Sequence, residues 1–288
     1  MKEKKALKDL NLIDRFLFAE VMEDLQANQD ILSIILGRDI QLASPPHTEK
    51  EHRVSPLARS IRMDVFSRSE DGIVYDVEAQ NTYQTDLEKR SRYYQSLMDR
   101  SLLEAGAANY NQLNDSYIIV ITDYDIFGLG KYCYTFKAVC EENANLSLGD
   151  GAVRIFLNTR GTNGDEVPKE LVEFLHYMEN TTDRAAAETE SERIRRIQER
   201  VNRAKKSEAV GMRFMREIEE RNAAREEGRT EGIAQGRSES ILEVLENVGD
   251  VPENVKERIR SQKDEEVLIK WLLLAAKAES MEDFVKAM

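Results

Sequence analysis

The chain has 288 residues, with 54 Asp and Glu against 41 Lys and Arg, a formal net charge of −13. A hydrophobic share of 41% is enough for a core and excludes wholesale disorder, while 14 Gly, 5 Pro and 2 Cys exclude collagen-like and disulfide-rich classes. The length suits one large domain or two ordinary ones.

In chain order, Leu12, Phe16, Val21, Leu25, Ile31 and Ile35 fall near helical spacing and predict a helix from Leu12 to Leu36, with Asn11 or Asp14 able to cap it. Ser44-Pro45-Pro46-His47 breaks the pattern, and residues 48–59 are polar and carry no assignable period. Residues 60–67 alternate, with Ile61, Met63 and Val65 on one face and Arg62, Asp64 and Phe66 on the other. Ser69-Glu70-Asp71-Gly72 is a turn, and residues 73–80 alternate again, with Val74, Asp76, Glu78 and Gln80 sharing a face. The prediction is a β-hairpin centred near Asp71.

Asp86 to Ala105 reads as helix through Leu87, Tyr94, Leu97, Met98 and Leu102, with Gly106 suited to its end. The continuous apolar run in residues 116–122 suits a strand buried on both faces. Tyr132–Val139 and Ala152–Asn158 are further strands, and Pro168 opens a short helix through Met178. This order gives an α/β architecture of helices against a mixed sheet over residues 1–182.

Composition changes near Thr181, and residues 183–288 read as an all-α tail. A long helix is expected over 183–236, then short helices at Ser238–Asn247, Pro252–Ser261 and Asp264–Ala278, with a last turn in Met281–Met288. Residues 193–206 carry seven basic residues and one acidic one. That run could grip a DNA backbone or be a solvated or self-paired helix. Gly228, Gly232 and Gly236 recur every four residues, nearly on one face. They would let a second copy approach closely, or mark a mobile low-complexity helix.

No apolar run approaches the roughly 20 residues of a membrane span. The start, Met1-Lys2-Glu3-Lys4-Lys5, leads into no apolar signal core, so the expected location is cytoplasmic and no membrane partner is expected. Cys133 and Cys140 lack the paired spacing of a zinc site and read as buried or inert thiols. His47, His52 and His176 are too scattered for a zinc enzyme.

The hairpin holds the constellation that could carry chemistry. Position 64 pairs with about position 78, which brings two carboxylates within roughly 5 Å at Cβ. Such a pair repels unless a cation or proton lies between, and oxygen-only ligation favours Mg²⁺ or Mn²⁺. Gln80 shares the face of Glu78 and could orient a water or a phosphate, though it cannot act as a base. The plainer reading is a set of solvated charges on the exposed face of a hairpin, with Asp76 as one more of them. Lys89 and Arg92 lie three apart on the next helix, beside Tyr93, and could contact phosphate.

The stretches Asp14-Arg15-Phe16-Leu17-Phe18, Ser60-Ile61-Arg62-Met63-Asp64-Val65, Tyr75-Asp76-Val77-Glu78-Ala79-Gln80 and Lys89-Arg90-Ser91-Arg92-Tyr93-Tyr94-Gln95 resemble the PD-(D/E)XK nuclease superfamily. More narrowly they resemble the Rpn family of recombination-promoting nucleases and transposases. Leu148-Gly149-Asp150-Gly151 and Ile155-Phe156-Leu157-Asn158 are similar to that family too, and the likeness covers roughly residues 10–180. It implies a restriction-endonuclease-like fold and a Mg²⁺-dependent DNA endonuclease. It also implies that Asp64 and Glu78 bind the metal, that Gln80 stands where the motif lysine is usual, and that Asp14 or Glu20 fills the early acidic position. Ala19 departs from the basic residue often found there. The rival expectations are a catalytically degenerate fold that binds DNA or protein, and an oligomeric scaffold acting through the tail.

Overall fold

A computed structural model describes residues 5–44, 47–52, 61–102 and 109–288, without the side chains of 47–52, 61–64 and Ser101. The chain divides into two compact units, Met1–Met212 and Arg213–Met288.

The first unit is built on a six-stranded mixed sheet in the order β1-β2-β3-β4-β6-β5. The strands are β1 (His47–His52), β2 (Ile61–Arg68), β3 (Val74–Gln80), β4 (Ser116–Thr122), β5 (Cys133–Phe136) and β6 (Ala152–Asn158). β2 and β3 form the expected antiparallel hairpin, with Val65 opposite Val77 and Phe66 opposite Asp76. Its turn is closed by Ser69 N–H donating to Ile73 O at 2.9 Å. β3 then runs parallel to β4, and β4 parallel to β6.

Helices cover both faces, as expected of an α/β sandwich. Helix α3 (Leu87–Leu102) supplies Leu87, Tyr94 and Met98 to a cluster with Phe66, Val74, Ile118, Val120 and Phe156. Gln95 of α3 donates to Ser116 Oγ on that face at 2.6 Å. Alternation sends Val65, Tyr75, Val77, Ala79, Ile119 and Ile121 to the other face, and all are buried. Helix α1 (Arg15–Met22) lies across β1, β2 and β3. Asn28 of α2 (Leu25–Leu36) donates to Ser67 Oγ, on the face away from α3, at 2.9 Å.

Several sequence expectations change. The helix expected over 12–36 is two, because Asp24 stops the first and caps the second, its side chain accepting from Ala27 N–H at 3.0 Å. The unassigned stretch 48–59 holds most of β1, which pairs with β2. β5 is shorter than Tyr132–Val139. Gly106 lies outside the described residues. Cys133 and Cys140 are half-exposed free thiols rather than buried ones, and burial pushes the Cys133 thiol up, away from its reactive form.

The loop after β4 is pinned by one carboxylate. Asp125 accepts from Phe127 N–H at 3.0 Å, Gly130 N–H at 2.6 Å and Tyr134 O–H at 2.8 Å. Burial raises this carboxyl, but the Gly130 and Tyr134 hydrogen bonds outweigh it, and the net value is lowered. Its stabilising contribution is therefore present above the ordinary carboxyl range and is lost as pH falls through the depressed folded value. Asp125→Ala should cost about 2 kcal/mol in urea unfolding near neutral pH, with the difference from the parent shrinking in acid.

Helices α4 (Lys169–Glu179), α5 (Asp183–Glu188) and α6 (Glu192–Lys206) complete the unit. The continuous helix expected from 183 is interrupted twice. Thr189 is extended, Ser191 caps α6 by accepting from Ile194 N–H at 3.2 Å, and extended Ser207 separates α6 from α7 (Glu208–Glu246). The division after Met212 puts α5 and α6 with the sheet rather than with the tail that the sequence reading began at 183. Ile194, Ile197, Val201 and Ala204 of α6 are buried, and α6 packs on α1 and α2.

Much of the basic run is engaged by acids of the same unit. Arg196 grips buried Asp30 with two hydrogen bonds, 2.9 and 2.6 Å. Arg193 pairs with Asp39 and Glu170, and Arg200 and Arg203 face Asp24. Arg196→Ala should therefore destabilise the protein by about 1–2 kcal/mol in urea titrations, a value below that of a fully buried pair because Arg196 is half-exposed. The alternative, a free DNA-gripping surface, predicts no change in stability.

In the second unit the end of α7 supplies Ile241, Leu242 and Leu245 to a core with Val255 and Ile259 of α8 (Glu253–Ser261), Leu268 and Trp271 of α9 (Glu265–Ala275), and Phe284 of α10 (Met281–Ala287). The expected short helix at 238–247 is thus the last part of α7. Among the described residues, and apart from the surrounding backbone of the helix itself, nothing lies within 4 Å of where a Cβ would sit at Gly228, Gly232 and Gly236. No helix among the described residues is long and apolar enough to cross a membrane.

Candidate active site

Glu78 lies near the end of β3, a strand hydrogen-bonded on both sides. In this unit helices cover the sheet at β3, with α3 over the face that carries Glu78. Glu78 is consequently 6% exposed and Asp76 1% exposed. This corrects the reading of the hairpin charges as a solvated face. Burying carboxylates is costly without compensation, so what meets them is informative.

Arg90 compensates Glu78. It sits three residues after Leu87 and four before Tyr94, so it falls on the sheet-facing stripe of α3. Its Nη2 donates to Glu78 Oε1 and its Nη1 to Gln84 Oε1. The guanidinium also lies 5.5 Å from the Tyr94 ring centroid. Burial pulls the Arg90 guanidinium down, but the charge and hydrogen bond of Glu78 outweigh it and leave it above its ordinary value. The second carboxylate oxygen, Glu78 Oε2, is buried and has no hydrogen-bond partner among the described residues.

The hairpin register, carried one step past Val65 and Val77, sets position 64 opposite position 78. The side chain of Asp64 lies outside the described set, so it enters by backbone position alone. Gln80 is two residues beyond Glu78 on the same face, and its Nε2 donates to Thr82 O at 2.8 Å.

Of the two early acids, Asp14 is the one tied to the end of β3. It occupies the N-cap position of α1 without capping it. Its Oδ1 instead accepts from Asn81 Nδ2 at 2.6 Å, its Oδ2 accepts from Asn11 N–H at 2.8 Å, and Lys5 Nζ is 3.6 Å away. Glu20 is buried on α1, which covers the face opposite the one carrying Glu78. Lys89 and Arg92 are exposed on α3 and do not reach Glu78. The cation that does is Arg90, which the sequence reading quoted but did not single out. Its spacing from Leu87 and Tyr94 was the available signal.

The arrangement offers a desolvated carboxylate with one oxygen held by a guanidinium and one free, facing a second acidic position. Hard oxygen donors of this kind suit a divalent cation such as Mg²⁺, and the orphaned Oε2 is the atom that would ligate it.

A family model described as PD-(D/E)XK nuclease family transposase matches residues 12–226. No curated protein and no solved structure matches the chain.

Proposed function

Because the chain belongs to the PD-(D/E)XK nuclease family of transposases, we propose that it is a DNA endonuclease that hydrolyses phosphodiester bonds with Mg²⁺ or Mn²⁺. The observation that carries this reading is the buried Glu78, with Oε1 on Arg90 and Oε2 without a partner. Glu78 and Asp64 would hold the ion. When bound, such an ion polarises a phosphoryl oxygen and lowers the pKa of a water.

The chain's own groups have separable tasks in this reading. Arg90 fixes the rotamer of Glu78 and places a permanent positive charge beside the site. That charge stands in for the one missing at Gln80. Gln80, its amide engaged by Thr82 O, leaves its carbonyl oxygen to orient the attacking water. Asp14 holds Asn81 and so steadies the end of β3. Lys89 and Arg92, exposed on α3, would meet DNA phosphates. A second copy on the open Gly228, Gly232, Gly236 face would supply a second active site for the opposite strand.

The test is nicking of supercoiled plasmid by purified protein in Mg²⁺, in Mn²⁺ and in EDTA, beside calorimetric titration of the metal. Metal-dependent nicking with saturable metal binding supports the reading. Two features favour a second reading, a DNA- or protein-binding module without catalysis: Arg90 already neutralises Glu78, and Gln80 carries no charge. A folded protein that neither binds metal nor cleaves the plasmid would establish that alternative.

A further inference from the structure

Two tyrosines beside Glu78 have no part in the reading above. Tyr83 leaves the C-terminal end of β3 and Tyr124 the C-terminal end of β4, the rim where open α/β sheets with parallel strands gather their ligands. Tyr83 is 70% exposed. Its ring centroid is 5.2 Å from that of Tyr124, the planes inclined at 58°.

Tyr124, on which the Tyr83 ring rests, is fixed by hydrogen bonds. Tyr124 O–H donates to Thr82 O at 3.2 Å and accepts from Gln84 N–H at 3.3 Å. Gln84 in turn accepts from Arg90, which holds Glu78. Burial raises the Tyr124 phenol, which keeps its proton at neutral pH. An aromatic surface held this way, yet open to water on Tyr83, loses little conformational freedom when a flat ligand lands on it.

We propose that Tyr83, backed by Tyr124, is a stacking platform for an unpaired nucleobase next to the Glu78 carboxylate. The preferred DNA would then carry single-stranded character at the site, a preference that rests on the nuclease reading. In a duplex both faces of a base are already stacked, whereas an unpaired base offers a free π-face to any aromatic ring. Exposed Lys89 and Arg92, six and nine residues after Tyr83 and on α3, would take the flanking phosphates.

The test is binding in EDTA, where the proposed chemistry is silent. Anisotropy is measured with a short labelled single strand and with its duplex, and again with 2-aminopurine in the single strand. The parent should favour the single strand and quench 2-aminopurine. Tyr83→Ala should weaken single-strand binding roughly tenfold and abolish the quench, while duplex binding changes less than about twofold. Tyr83→Phe should bind like the parent. So should Tyr110→Ala, since exposed Tyr110 precedes β4 and lies at its opposite end. Equal binding by Tyr83→Ala and the parent, or equal losses on both DNAs, overturns the platform. If the parent nicks plasmid but shows either result, the platform falls and the nuclease stands. If the parent neither nicks plasmid nor binds either DNA, both fall.

Discussion

Glu78→Gln is expected to lower metal-dependent plasmid cleavage by roughly 10²–10³-fold, the scale seen when one electrostatic element of a reaction site is removed. The side chain keeps its size and its place on β3, but the free oxygen loses its charge. Asp64→Asn should give a loss of similar size. The double variant should be little worse than either single one, because both carboxylates would act through one ion. Glu78→Gln also deprives Arg90 of its counter-charge, so thermal melts must accompany the kinetics. Cleavage by Glu78→Gln at the parent's rate would show that another group does the chemistry.

Arg90→Ala is expected to destabilise the metal-free protein by about 3 kcal/mol in urea titrations. Both partners are largely withdrawn from water, with side-chain exposures of 19% and 8%, and removing one leaves the other an uncompensated buried charge. Arg90→Lys keeps the charge but loses the fork that reaches Glu78 and Gln84 together, and should cost less, about 1–2 kcal/mol. Added Mg²⁺ should recover more stability in Arg90→Ala than in the parent, since a ligand of the folded state adds to its stability by mass action. An Arg90→Ala protein as stable as the parent would remove the pair from any account of the site.

The hairpin was legible because two alternating runs flank a Ser-Glu-Asp-Gly turn, and its register follows from the loop length. What the hairpin alone could not show is that β3 has a second neighbour, β4, reached only after α3 crosses over. That parallel pairing, with α3 laid over the same face, is what buries Asp76 and Glu78. β1 was not legible because His-Thr-Glu-Lys-Glu-His has no apolar alternation, and its pairing with β2 supplies what its own side chains do not. Arg90 was overlooked because charge argued outward while its spacing argued inward. The basic run of α6 was ambiguous in sequence because its partners, such as Asp30, lie 166 residues away.

That separation also orders the birth of the molecule on the ribosome. The backbone of Leu12 and Ile13 is tied to Thr181 and Met178, and Asp30 waits for Arg196. At ordinary elongation rates the interval between synthesis of Asp30 and of Arg196 is on the order of ten seconds. Throughout it, the apolar stripes of α1 and α2 that α6 will cover stay open to solvent or to a holding chaperone. Messages cut short before the codons for α6 would release chains with this seam permanently unsealed.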